Sequence, residues 1–478
     1  MVTARNNNGK TRWAAAIVAA ALGLGTVSAQ AIDFFDWGAV NTPVNSAYVQ
    51  TPPLSDANAS DIAAFLASQQ AAGKTTAVQV RAGVTLSAGT INLIFNNPSV
   101  PVKYVFSDYE GPTSAAQTTT LVSQLAPTNF GTRQAAGTSF IGNYGLAPIP
   151  SDPTQRPGPT FTSGNSSANP YLNAVDFRNT GVNMSSEALY PGDASFRNPV
   201  TGDSTAPNIR SALFTLPIQR LSLASQNIGA GQAHIPFVSR FNNFANAALS
   251  NGTTARTDGA GGTQPAFNTL GSNIGANAVA GQLLSRNDFQ ALVLHYKMRG
   301  ASTYQLIDPG VQGYTVAQYE SDALAGWNDT QSGGLVQGVL NGTNGRVASL
   351  PTTITFNGVR QTIEQAGVVY SAVTNDNAGS VGLAILVSNL SNTAGPVTFN
   401  TRINGATLSF TSGTLAAGSH SILRFTKVGG SWGSPLSDPA FNDSSLASRD
   451  GVGIPEPTAL SLLGLGALGV LGRRRRKA

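Results

Sequence analysis

Apolar positions recur at helical spacing from Asp61 to Ala72, where Ile62, Phe65 and Leu66 share one face and Gly73 supplies a C-terminal stop. β-rich pieces follow at Ala77–Val80, Thr90–Phe95 and Lys103–Ser107, then a polar helix over Ser114–Leu125 closed by Pro127, then a strand-like run over Ser139–Tyr144. Pro207 fits the first turn of a helix through Leu213, and Pro217 keeps that helix from running far. Farther along, Ser285-Arg286-Asn287-Asp288 reads as a capping box. Phe289, Leu292, Val293 and Tyr296 then repeat at helical spacing up to Gly300. Thr303–Ile307 reads as a buried strand, and Thr315 with Gln318 opens a helix carrying Val316, Tyr319, Leu324 and Trp327. A helix, strand and helix in succession predict a parallel sheet, most economically a (β/α) barrel-like domain over 32–332 with long loops at Ser151–Asn169 and Asn251–Asn277.

From about Gly333 the period changes from helical to alternating. Thr352–Phe356 and Val359–Ile363 flank Asn357-Gly358, and Val397–Ile403 and Thr407–Phe410 flank Asn404-Gly405, both hairpin signals of the type I′ kind. Val368–Val373, Val381–Leu390 and His420–Thr426 complete a set of strands with no helix pattern, which predicts a small antiparallel β-sandwich over 333–428. Residues 429–453, rich in Gly, Ser, Asp and Pro, read as a flexible linker. The expected fold class is therefore α/β plus all-β, with terminal segments outside the folded body.

Those terminal segments change the charge picture. At the start, Arg5, Lys10 and Arg12 precede an apolar stretch from Trp13 to Leu24. Val27-Ser28-Ala29 or Ala29-Gln30-Ala31 then offers a small-x-small cleavage site, so 1–31 reads as a secretory signal peptide for the Sec machinery. At the end, Pro455-Glu456-Pro457 precedes an uncharged run from Ala459 to Gly472 and then Arg473, Arg474, Arg475, Arg476 and Lys477. That run of about 14 residues covers roughly 21 Å as a helix, against a hydrocarbon core of about 30 Å. It suits a temporary membrane hold with the cations kept on the cytoplasmic side. Removing the five tail cations takes the formal charge of +5 to zero, and removing the three leader cations takes it to −3. The body is mildly acidic, which argues against a nucleic-acid partner. The absence of cysteine excludes disulfides, thiolate metal sites and a cysteine nucleophile.

The order of Pro-Glu-Pro, apolar run and basic cluster over 454–478 resembles the PEP-CTERM sorting signal of Gram-negative bacteria, which a membrane exosortase reads. The resemblance implies that Pro455, Glu456 and Pro457 form the recognition motif and that Ala459–Gly472 is a short membrane segment. It further implies that Arg473, Arg474, Arg475 and Arg476 belong to the basic stop. The implied partners are an exosortase-type processing enzyme and, transiently, the inner membrane, with a final place at the cell surface, the outer envelope or an extracellular polysaccharide matrix.

Within the body, Tyr104-Val105-Phe106-Ser107-Asp108-Tyr109-Glu110-Gly111-Pro112 brings two carboxylates two residues apart to the end of a β-rich run. In a barrel that end is the active face, and neighbouring carboxylates raise the pKa of one of the pair, as a general acid needs. The phrase resembles the Asp-x-Glu ending of the chitinase-type strand in barrel glycosidases, which implies Glu110 as general acid with Asp108 assisting. The family's upstream aspartates are replaced here by Phe106 and Lys103. Asn143, Tyr144, Tyr190, Arg240 and Tyr304 with Gln305 are further candidates for sugar hydroxyls at the same mouth. His234, His295 and His420 are too scattered for a metal site, and His295 reads as a packed or surface residue of its helix. No phosphate loop, Gly-x-Ser-x-Gly elbow or EF-hand loop is present, and no cofactor is expected. Two functions remain open: a non-catalytic, carbohydrate-contacting surface or matrix protein, and an extracellular glycoside hydrolase or inactive relative.

Overall fold

The computed structural model describes residues 34–37, 48–51, 53–81, 84–100, 102–108, 114–143, 181–185, 211, 214–215, 218, 221, 233–238, 256–257, 263–264, 284–307, 316–348, 351, 353–377 and 379–435. They form a mixed assembly of helices and several sheets. Strand β1 (Phe34–Trp37) is followed by β2 (Tyr48–Gln50), β3 (Thr75–Arg81), β4 (Tyr104–Asp108) and β5 (Phe140–Asn143). The last four make one parallel sheet in sequence order. Next, β6 (Met184–Ser185) pairs in parallel with β7 (Ala233–His234). Strand β8 (Phe237–Val238) precedes a short antiparallel pair, β9 (Arg256–Thr257) and β10 (Thr263–Gln264). Strand β11 (Tyr304–Ile307) then lies between β1 and β8, parallel to both. Among the described residues these parallel ladders do not join into one closed ring.

Helices α1 (Ala59–Ala71), α2 (Ala88–Ile94), α3 (Ser114–Leu125) and α4 (Asn129–Ala135) cover one face of the β2–β5 sheet. Val78, Val80, Val105 and Ile141 face them and pack with Ile62, Leu66, Leu121, Leu125 and Phe130. The alternate residues Ala77, Tyr104, Phe106 and Phe140 pack on the other face with Met184, Ala233 and Ile235. Burial of both faces is what a parallel sheet requires, and period-two alternation sorts one strand's side chains between two apolar layers.

The segment Thr90–Phe95, expected as a strand from its β-branched residues, is helical in α2. The local chemistry explains the difference: Ser87 Oγ accepts from Thr90 N at 3.3 Å, and Asp56 Oδ1 accepts from both Ser87 N at 3.0 Å and Thr90 Oγ1 at 2.6 Å. A satisfied N-terminus outweighs the few tenths of a kcal/mol that separate helix propensities. Likewise the helix expected to stop before Pro217 has helical positions at Ser211, Phe214 and Thr215 and again at Ile218 and Leu221. Phe214, Ile218 and Leu221 are spaced four and three apart and enter the main core together.

Helix α5 (Arg286–Lys297) starts as expected, with Ser285 Oγ accepting from Asp288 N at 3.1 Å. It lies against α6 (Val316–Trp327). At their crossing a Cβ on Gly326 would come within 2.4 Å of Gln290 O, so only glycine allows the approach. Lys297 Nζ donates to Trp327 O at 2.8 Å across the same pair, and burial pushes its pKa down to about 8 despite nearby Asp329. Two short helices, α7 (Leu335–Leu340) and α8 (Ile363–Ala366), fall within the region that had shown no helix pattern. The latter is a single turn started by a Thr362/Gln365 capping box.

The remaining strands are β12 (Arg346–Val347), β13 (Thr353–Phe356), β14 (Val359–Thr362), β15 (Val368–Thr374), β16 (Leu383–Asn389), β17 (Val397–Ile403), β18 (Ala406–Thr411), β19 (Ser419–Phe425), β20 (Lys427–Val428) and β21 (Ser431–Trp432). They make a four-stranded sheet in the order β12-β15-β16-β19 and a six-stranded sheet in the order β14-β13-β17-β18-β21-β20. Both Asn-Gly hairpins form as the sequence predicts, with φ positive at Asn357 and Gly358 and at Asn404 and Gly405. Every residue of β15 and β16 is buried, because α5 covers the face of that sheet turned away from the six-stranded one. The sheet also extends past residue 428, where a linker was expected: Trp432 on β21 is 5 % exposed, and its Nε1 donates to Ile403 O at 3.0 Å. Among the described residues no helix is long and apolar enough to cross a membrane, and Ala459–Gly472 lies outside them.

Candidate functional site

Strands β3, β4 and β5 end side by side. Their parallel register pairs Arg81 with Asp108, and Ser107 with Asn143. Below those ends lies an aromatic layer in which the rings of Tyr104 and Phe106 stack 6.4 Å apart and those of Tyr104 and Phe140 5.5 Å apart. Positions 104, 106 and 108 fall on one side of β4 by the pleat, so Asp108 is the last residue of the row that Tyr104 and Phe106 begin. Glu110, Tyr144, Tyr190 and Arg240 lie outside the described residues. Tyr304 is described, and its placement differs from the open mouth expected for it: it is wholly buried on the helix side of β11, its ring 5.2 Å from that of Trp327. The alternation of β11 gives the opposite side to Thr303 and Gln305. Among the described residues there is no cluster of three or more metal-ligating side chains.

The densest run of polar and titratable side chains lies elsewhere, where α5 crosses the four-stranded sheet. Arg299 Nε donates to Ser371 Oγ at 2.8 Å, and Ser371 Oγ lies 2.7 Å from His295 Nδ1. His295 Nε2 is 2.9 Å from Ser388 Oγ, which is 2.7 Å from His420 Nδ1; His420 Nε2 is 2.8 Å from Asp288 Oδ1. Hydrogen-bond logic orients this run. Arg299 can only donate and an ionised Asp288 only accept, so with both imidazoles neutral each group donates to the next, from arginine to carboxylate. Both histidines then carry the proton on Nε2, a tautomer assigned from the network. Burial, first, and then the charges of Arg299 and His420 hold His295 well below the usual histidine pKa, which keeps it neutral. Arg299 is itself lowered to about 10 by burial, and its Nη2 donates to Tyr370 O at 2.6 Å. Phe214 seals the run, edge-on to His295 at 5.4 Å and stacked on His420 at 6.0 Å.

Asp288, His420 and Ser388 reproduce the connectivity of a hydrolytic triad. Their surroundings do not suit that chemistry. Ser388 is 0 % exposed within an entirely buried strand, and its hydroxyl is engaged on both sides by histidines. A nucleophile needs an approach for substrate and oxyanion donors beside it, so the run is a structural latch between α5 and the sheet. Sequence reasoning treated His295 and His420 as unrelated. The available signal was that Ser371 and Ser388 interrupt largely apolar strands.

Among the described residues the antiparallel sandwich shares its core with α5, α6 and β11, whereas the β2–β5 sheet packs on two apolar clusters of its own. Residues 453–477 match the family model described as the PEP-CTERM protein-sorting motif. The chain carries that signal, which indicates an exported, envelope-directed protein processed by an exosortase. No curated protein matches the chain. Among solved structures, it is similar to the spore cortex-lytic enzyme SleL of Bacillus cereus, at 10 % identity over 62 % of this chain and 74 % of that one, with a TM-score of 0.33. It is also similar to a cyclic α-maltosyl-(1→6)-maltose hydrolase from Arthrobacter globiformis, at 9 % identity over 80 % and 87 %, TM-score 0.34. A third is the chitinase domain of the spore coat protein CotE from Clostridium difficile, at 10 % identity over 63 % and 92 %, TM-score 0.25. Likenesses at these scores carry no argument about fold or activity.

Proposed function

We propose that this exported protein resides at the cell surface or in the exopolysaccharide matrix and contacts carbohydrate at the C-terminal ends of β3, β4 and β5. The observation that carries the reading is the pairing of Arg81 with Asp108 at the common end of parallel strands, directly beyond an aromatic layer. Charged planar donors and acceptors at such strand ends are what sugar hydroxyls require. The reading takes the parallel ladders as successive parts of one (β/α) barrel over 32–332, whose active face is its C-terminal one. Hydrogen bonds between neighbouring ladders support it: Asn183 N donates to Ile141 O at 3.1 Å, and Ser302 N to His234 O at 2.7 Å. In this reading the signal peptide directs Sec export, the inner membrane holds the tail transiently, and the polysaccharide is the lasting partner.

The second reading, a glycoside hydrolase with Glu110 as general acid, is favoured by the position of Asp108 as the last residue of its strand beside Arg81. In that reading Glu110 supplies the proton to the leaving oxygen and Asp108 assists. The test is binding and reducing-sugar release by the purified exported protein on polysaccharide extracted from its producer, with Asp108→Asn and Glu110→Gln alongside. Binding weakened by Asp108→Asn supports the site, and binding equal to wild type in both variants removes it. Sugar release lost in Glu110→Gln with binding retained selects the hydrolase.

A further inference from the structure

The six-stranded sheet turns Ile354, Phe356, Phe399 and Leu408 into the core, so alternation along each strand turns their neighbours outward. The register sets those neighbours in rows across the strands. Arg360, Thr355, Thr398 and Thr411 make one row. Asn400 pairs with Ser409 in the next, and Arg402, Thr407 and Ser431 make a third. Thr355 and Thr398 are half-buried, and the others are exposed. With strands about 4.8 Å apart and same-side residues about 6.8 Å apart along each strand, the face is a grid of hydroxyl and amide groups with an arginine in each outer row. Thr398 Oγ1 lies 2.9 Å from Thr411 Oγ1 within that grid. Each arginine spends one donor inside the sheet: Arg360 Nε donates to Thr353 Oγ1 at 3.2 Å and Arg402 Nη2 to Gly405 O at 2.8 Å. Neither meets a carboxylate among the described residues. The sandwich from 333 to 435 holds five cations and only two carboxylates. Glu364 is wholly buried, and Asp376 is engaged by Asn344 at 3.0 Å and by Asn404 at 2.5 Å beside the β17–β18 turn. The face is therefore cationic on a body that is mildly acidic as a whole.

From this geometry we infer that the outer face of the six-stranded sheet binds an acidic polysaccharide, whose carboxylates pair with Arg360 and Arg402 and whose hydroxyls bond the rows between them. A guanidinium has five donors in a fork that fits a carboxylate, and one donor used within the sheet holds the group in place for that pairing. Threonine and serine hydroxyls and the Asn400 amide both donate and accept, as sugar hydroxyls do. The two arginines stand two strands and two rows apart, about 16 Å between backbones by sheet spacing, so a chain of several sugars crossing the rows meets both. The rows contain no aromatic ring on which a neutral sugar would stack. A second copy of the chain is the poorer occupant. Facing copies would set arginine against arginine, and Val428, which the register places beside Ser431, is the one apolar side chain in the rows, too little for the core of a protein interface. The inference goes beyond the reading above: it assigns a second carbohydrate surface and an acidic class of partner, and it does not need the site at the ends of β3, β4 and β5.

The test titrates the purified exported protein calorimetrically with hexagalacturonate, hexamannuronate and, as a neutral probe, chitohexaose, at low and high salt. The variants are Arg360→Gln with Arg402→Gln, Thr398→Val, and Arg424→Gln, which removes a cation from β19 of the other sheet. The wild type is expected to bind an acidic hexamer more tightly than the neutral one, and less tightly as salt rises. The double arginine variant is expected to bind about tenfold more weakly with its melting temperature unchanged, since both side chains are exposed. Thr398→Val keeps the charge and is expected to weaken binding about threefold. Arg424→Gln is expected to bind as the wild type does. Unchanged affinity in the double variant overturns the inference, and so does an equal loss in Arg424→Gln, which would make the attraction a matter of overall charge. A dimer in light scattering that the double variant breaks gives the face to a second copy and overturns it too. A wild type that binds neither acidic hexamer overturns this surface alone, because the β3–β5 site is read separately from Asp108→Asn on the producer's polysaccharide.

Discussion

His295 gives the latch between α5 and the four-stranded sheet a measurable pH dependence. In the folded protein its pKa is held well below 6.5, by burial foremost and then by the charges of Arg299 and His420. In the unfolded chain it titrates near 6.5. As pH falls through 6.5 the unfolded state takes up a proton that the folded state refuses, so the stabilisation is complete above 6.5 and is lost on acidification towards the folded pKa. Linkage for one group puts the loss at about 1.4 kcal/mol by pH 5.5 and about 2 kcal/mol by pH 5.0. Protonation at Nδ1 would also turn the acceptor that Ser371 Oγ serves into a second donor, reversing one link of a run that otherwise points from Arg299 to Asp288. The assay is urea denaturation followed by tryptophan fluorescence at pH 7.5, 6.5, 5.5 and 5.0 on wild type and His295→Gln. The substitution carries its own constant cost, so the quantity read is how the difference between the two proteins changes with pH. That difference should shrink by about 1.4 kcal/mol between pH 7.5 and 5.5. A difference independent of pH refutes the reasoning, because His295 would then hold the same proton folded and unfolded.

Trp432→Ala removes a buried ring and its bond to Ile403 O, for an expected cost of about 3–5 kcal/mol. Limited proteolysis should then cut near β20, where the wild type should stay intact. Glu456→Ala in the matched sorting motif should leave the tail uncut, detected as an intact C-terminus by mass spectrometry of the membrane fraction, with processing of the N-terminal leader unchanged.

Much of the fold was legible where one local rule acts without competition. The Asn-Gly turns formed because positive φ is costly for other residues, and Ser114–Leu125 matched its expected limits because a proline follows it closely. Thr90–Phe95 was misread because the group that decides it, Asp56, is 34 residues from Thr90. Glycine content at 429–433 suggested a tether, yet Trp432 pins that segment to the sheet through a partner 29 residues away. The strand β4 itself was legible from its β-rich run. Tyr304 and Gln305 could not be ranked from sequence, because adjacent residues in a strand differ only in the side they take, and that side depends on where α6 packs.

In the latch, six side chains from one helix, a residue just past its C-terminus and three strands leave each imidazole nitrogen with a partner, across sequence separations of 32 to 132 residues. Such closure fixes a unique seating of α5 on the sheet, since sliding the helix by one residue would strand several buried groups at once.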